Sequence, residues 1–220
     1  MINNKRSNLG KKALWGLMTF FAIGVALYAT IVYGSLNTDF FFPQQRLTYL
    51  AHLTGILTHA LSASVALLIG PFQFLPRLRQ KRFLSLHRWL GRIYLLGILL
   101  GGLSGFYMAR LAHGGFPAQV GFSLLAILWL FTGVMAYQRI RTGNVRAHEQ
   151  WMIRNYALTF AAVTLRLYLG LGQAFLPGVE FTAVYITTAW ISWIPNLLIA
   201  EALIQRRYPQ PRPTLSTASG

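Results

Sequence analysis

Six stretches of the chain are almost continuously apolar. Each is long enough to cross the hydrocarbon core of a bilayer as a helix, which takes about 20 residues. They lie near 13–33, 48–72, 88–110, 116–138, 150–174 and 181–204. The runs do not alternate apolar with polar, so they predict helices and not the strands of a barrel. Lys5, Arg6, Lys11 and Lys12 precede the first run, as basic residues do in a signal peptide. That run is too long for one, and no Ala-x-Ala site follows it, so it reads as a retained first helix. The expected fold class is an all-α integral membrane protein, a six-transmembrane-helix bundle with both termini cytoplasmic. The expected division is a basic cytoplasmic tail at 1–12, a six-helix membrane domain at 13–206 and a disordered cytoplasmic tail at 207–220. In the last, Pro209, Pro211 and Pro213 are followed by Ser, Thr and Gly.

Orientation follows from where the cations fall. The amino tail, the segment between the second and third spans (Arg77, Arg79, Lys81, Arg82, Arg88, Arg92), the connection into the fifth (Arg139, Arg141, Arg146, Arg154) and the carboxyl tail (Arg206, Arg207, Arg212) all lie on one side. Only Arg46 and Arg110 edge the other side, and Arg166 lies within the fifth span. The positive-inside rule then places both termini in the cytoplasm. The basic 73–87 stretch, with Pro76, Leu78, Phe83 and Leu86, is expected to lie along an anionic inner leaflet. For a bacterial chain this is the inner membrane, and the lipid bilayer is the first expected partner.

Composition narrows the function. The chain of 220 residues is 55% hydrophobic and only 11% charged, against roughly 25% in soluble domains. Its mean hydropathy is +0.47. The formal charge of +16 therefore does not describe a nucleic-acid binder, whose cations would coat a soluble surface. With no cysteine there are no disulfides, thiolate metal sites or covalent haem attachments. The four carboxylates, Asp39, Glu149, Glu180 and Glu201, sit at or beyond span ends. No paired acids, nucleophile elbow or phosphate loop appears, which argues against a hydrolase. The Trp and Tyr residues read as interface belts and core filling.

Candidate chemistry lies in polar residues that lipid should reject, because an ionisable group inside a span costs on the order of 3 kcal/mol. At about 100° per residue, the fifth span puts His148, Asn155, Thr159, Arg166 and Gln173 on one stripe, with Arg154 off it. For Asn155 and Thr159 the alternative is helix–helix adhesion. Arg166, roughly 24 Å along the helix from Gln150, is too deep to reach the inner surface. It wants an anion, carbonyls or water. The third span aligns His87, Gly91, Tyr94, Gly101 and Gly105, a face suited to close packing or to a flat macrocycle. The second aligns His52 near the outer surface with His59 near the midplane. His113 is a loop residue. Because the third and fifth spans both begin with a histidine on the cytoplasmic side, His87 and His148 could meet as the axial pair of one b-type haem. His59, Arg166, Arg92 and Tyr94 complete that expected cofactor-binding set, with no catalytic residue and no separate metal site. His52, Asn155, Thr159, Arg154 and Gln73 form the expected ligand-cavity set.

The motifs Gly70-Pro71-Phe72-Gln73-Phe74, Leu86-His87-Arg88-Trp89-Leu90-Gly91-Arg92-Ile93-Tyr94, His148-Glu149-Gln150-Trp151-Met152-Ile153-Arg154-Asn155-Tyr156-Ala157-Leu158 and Ala161-Ala162-Val163-Thr164-Leu165-Arg166 resemble a bacterial family of predicted membrane proteins, domain-of-unknown-function 2306, over roughly residues 50–170. The resemblance implies the membrane fold and the importance of His87, His148 and Arg166, and no activity. More weakly, six spans and histidines on the second, third and fifth are similar to the cytochrome b561 and ferric-reductase type of bundle. That type also needs a histidine on the fourth span, and 116–138 has none. Three readings follow. In the first, one inner haem b serves membrane electron transfer, with Arg166 or Arg92 facing a propionate or quinone. In the second, a transporter or binder holds a small anionic ligand in a midplane cavity. In the third, the protein is structural and the stripes only pack helices.

Overall fold

A computed structural model describes residues 2–209, with side chains at residue 10 and from residue 12 onward. The expected tail at 207–220 falls outside the described residues from 210 on. Nine helices are described, with no strand among them: α1 (Ile2–Gly34), α2 (Arg46–Ala51), α3 (Leu53–Gln73), α4 (Leu84–Ala109), α5 (Phe116–Arg141), α6 (Val145–Thr159), α7 (Ala161–Phe175), α8 (Phe181–Ile191) and α9 (Ile194–Arg207). They supply six segments long and apolar enough to cross a membrane, the fifth built from α6 and α7 and the sixth from α8 and α9. The protein is a multipass membrane protein. Leu14, Phe20, Leu96, Leu103, Phe131 and Leu198 stand exposed around the bundle, a belt that water would not tolerate and lipid does.

Short connections fold successive spans back on each other. The most extensive packing joins α3 to α4, with α1 along α3, and α5 between α4 and α6. Glycine makes the α3–α4 approach close. A Cβ built on Gly97 would stand 2.9 Å from the backbone oxygen of Ser62, and one on Gly101 would meet Ala63 N at 3.3 Å and the Trp129 indole. Without hydrophobic drive between helices in lipid, such contact is what holds them.

Two spans are interrupted, and a third break precedes the second span. His52 leaves helical geometry between α2 and α3 (φ −126°, ψ 42°). α6 ends and α7 begins at Phe160. α8 ends before Ser192, and Pro195 starts α9 just beyond it, as a residue without an N–H can at the first turn. The last two breaks face each other. Asn196 Nδ2 donates to the carbonyls of Ala157 and Ser192 and to Thr164 Oγ1, and Thr164 donates to Ser192 O. Backbone groups freed mid-membrane are thereby satisfied by side chains.

Candidate functional site: a cavity between the broken helices

A cavity of about 210 Å³ lies inside the bundle between α1, α3, α4, α5, α7 and α8. At 1.5 Å per residue it runs from the helix ends around Tyr33 and Ala109 to the level of Leu67 and Thr159 near mid-membrane. His59, Thr159 and Arg166 are on its wall.

His59 Nδ1 lies 2.8 Å from the carbonyl oxygen of Gly101. A carbonyl only accepts, so Nδ1 carries a proton. Gly105 makes room for the ring, since a Cβ there would stand 2.6 Å from Nδ1. The Arg166 guanidinium donates from Nη1 to Ala162 O at 2.8 Å and stands 5.7 Å from the centre of the Tyr28 ring. No carboxylate pairs with it among the described residues, where the ion pairs are Arg46–Asp39, Arg79–Glu149, Arg207–Glu149 and Arg154–Glu201. The cavity wall therefore carries one unneutralised charge in a low-dielectric setting.

The floor is a saturated polar network. The Trp129 indole donates to Thr159 Oγ1 at 2.8 Å. Tyr94 donates to Asn155 Oδ1 at 2.6 Å, and Asn155 Nδ2 donates to Trp129 O and Thr132 Oγ1, both at 2.8 Å. Asn155 and Tyr94 are fully buried and lie behind the wall, not on it. The single stripe drawn for the fifth span is thus divided by the break at Phe160: Asn155 and Thr159 bind α4 and α5, Arg166 turns to α1, and Gln173 is exposed.

The other expected residues sit elsewhere. His52 Nδ1 shares a hydrogen bond with the Tyr107 hydroxyl at 2.7 Å. Arg92 is exposed over the Trp89 ring. Arg154 forms a two-point pair with Glu201 and covers Trp151. His148 Nδ1 is engaged with Ala136 O at 2.8 Å. His87 Nδ1 and Gln73 Nε2 are buried without a partner. None of these lines the cavity. A haem between His87 and His148 has no supporting geometry. The cavity lies at another level, and its volume, below the roughly 300–1,000 Å³ of pockets for drug-sized ligands, is too small for a macrocycle. No cluster of three His, Cys, Asp or Glu side chains suited to a metal occurs among the described residues.

Several residues at these sites carry no periodic signal. Gln45, in the turn before α2, is buried and donates from Nε2 to the Tyr185 oxygen at 2.7 Å and the Tyr49 oxygen at 3.2 Å, while its Oε1 accepts from His113 N. It lines the cavity beside the two phenols. Ser192, fully buried at the helix break, lines the wall with an unpartnered hydroxyl. At the opposite face of the bundle Glu149 accepts from Arg79, Arg207 and Tyr208. Burial first, then that carboxylate, holds the Tyr208 hydroxyl above the ordinary phenol range.

A family model described as Predicted membrane protein (DUF2306) matches residues 56–204, taking in α4 to α8 whole and most of α3 and α9. No curated protein and no solved structure matches the chain.

Proposed function

The chain belongs to the DUF2306 family of predicted membrane proteins, and from that premise we propose that it binds a small anionic solute in the intramembrane cavity and passes it across the bilayer. One observation carries this reading: Arg166 stands on a cavity wall deep in the membrane without a carboxylate to neutralise it. A half-buried cation within a span marks a ligand or ion pathway, since lipid offers it nothing. The two broken helices beside it support the same reading, because solute sites in transporters are typically built where helices are discontinuous. The cytoplasmic placement of both termini, in a bacterial inner membrane, rests on the distribution of Lys and Arg. It puts the cavity in the outer half of the bilayer.

Proteoliposomes supply the test. Loaded with a panel of small carboxylates and inorganic anions, they should release at least one faster than protein-free vesicles, and Arg166→Gln should abolish the excess. Equal release with and without protein would overturn transport. A structural role, favoured by the self-contained network around Asn155, predicts instead that Arg166→Leu keeps full cellular phenotype.

A further inference from the structure

We infer, building on the anion reading above, that the solute is a monocarboxylate with a short apolar body. Three features of the cavity select it. The first is charge. Arg166 is the only ionised side chain on the wall. A monoanion leaves the site neutral, whereas a dianion would bring an unpaired charge into low dielectric.

The second is the sense of the hydrogen bonds. Gln45 Nε2 spends its two protons on the oxygens of Tyr49 and Tyr185. Each phenol oxygen therefore acts as acceptor toward Gln45, and each keeps its own proton to give. The Tyr49 hydroxyl faces that of its neighbour Tyr33, the Tyr185 proton finds no acceptor among the described residues, and all three phenols line the cavity. Arg166 likewise has one nitrogen on Ala162 O and further N–H groups to offer. The polar groups thus offer mainly protons, a pattern that an acceptor-only carboxylate satisfies. The buried Ser192 hydroxyl, unpartnered on the same wall, is a further donor.

The third is the remaining wall. Ile56, Ala60, Ala63, Met108, Ala126 and Leu158 are apolar, and half of them are alanine. An inorganic anion would satisfy Arg166 and leave that surface against water, whereas a short alkyl chain covers it. The 210 Å³ volume admits a chain of roughly half a dozen carbons, taking each as about the 30 Å³ share of a water.

Calorimetric titration of the full-length protein in nanodiscs tests this, using hexanoate, nitrate, succinate and hexanol. Hexanoate should bind at least tenfold more tightly than the other three. Arg166→Gln should weaken hexanoate at least tenfold and leave hexanol unchanged, Arg166→Lys should retain most of the affinity, and Tyr185→Phe should lose several-fold. Nitrate binding as tightly as hexanoate, with the same Arg166 dependence, would overturn the inference and leave the anion reading standing. Succinate matching hexanoate would overturn the monoanion selection in the same way. Hexanol matching hexanoate, or no binding by any probe, would overturn both. The ranking on wild-type protein decides even where a variant fails to fold.

Discussion

The hydroxyl of Tyr94 on α4 donates to the side-chain oxygen of Asn155 on α6 at 2.6 Å, with neither residue touching solvent. This bond and its neighbours on Trp129 and Thr132 form the floor of the cavity. Tyr94→Phe leaves Asn155 Oδ1 as a buried acceptor without a donor, and an orphaned polar group costs about 1–3 kcal/mol. Asn155→Leu removes more: Tyr94 keeps only Thr159 Oγ1, at 2.9 Å, and Trp129 O and Thr132 Oγ1 lose the amide donor at once. The expected order of stability is wild type, then Tyr94→Phe, then Asn155→Leu, measured by unfolding in mixed micelles. A variant pair at wild-type stability would show that the network contributes nothing.

Glycine positions on α4 should separate by what faces them. Gly97→Ala drives a methyl group against the Ser62 backbone oxygen, 2.9 Å from where the Cβ would sit. Backbone cannot swing aside, so α3 and α4 must part. Gly105→Ala meets the His59 ring at 2.6 Å and should break the His59–Gly101 bond. Gly24→Ala and Gly170→Ala, with open space around them, should be neutral or stabilise by up to about 1 kcal/mol, as alanine does over glycine in helices. Thermal denaturation of the four variants checks the split. Equal losses at Gly97 and Gly170 would contradict the close-packing account.

Much of the architecture was legible in the residues themselves because lipid imposes length: six apolar runs became six spanning segments. Arg166 was legible for the same reason, as a charge within a span and too deep to reach the inner surface. What escaped was whatever depends on breaks in the helices. A uniform 100° per residue carries Asn155 and Arg166 to one face only if the ladder is continuous, and it stops at Phe160. Gln45 escaped because it lies in a turn, where no periodicity marks a buried side chain. The two tyrosines bonded to it, Tyr49 and Tyr185, looked like interfacial aromatics, since a phenol at a membrane boundary has the same sequence signature whether it faces headgroups or a cavity.

At the other face, Glu149 joins the 76–83 segment to the end of α9 through Arg79, Arg207 and Tyr208. The arginines are a third to a half exposed, so each pair is worth at most about 1 kcal/mol. The effect of Glu149→Gln should therefore be local and not global. Trypsin should cut faster at Arg79, Lys81 and Arg206, with little change in melting temperature. High salt should speed cleavage of the wild type toward the variant's rate, because partly exposed pairs are screened. Unchanged cleavage would mean that the clasp does not hold these segments.

Because the chain contains no cysteine, each introduced thiol is unique, and the cavity can be mapped in the intact membrane. His59, Ala162 and Leu165 line it, whereas Asn155 and Val163 are fully buried away from it. A water-soluble thiol reagent should therefore modify His59→Cys, Ala162→Cys and Leu165→Cys and spare Asn155→Cys and Val163→Cys. Ala162 and Val163 are the decisive pair, being neighbours at one depth, so any difference between them reports the cavity and not distance from the surface. Reagent applied from each side of oriented vesicles distinguishes an outer from an inner opening. If the cavity holds a carboxylate, hexanoate should slow labelling at Leu165→Cys, one residue from Arg166, and leave any slow background at Val163→Cys unchanged. Equal modification of 162 and 163 would mean that water reaches this depth by fluctuation of the helices and that the enclosed space is no pathway.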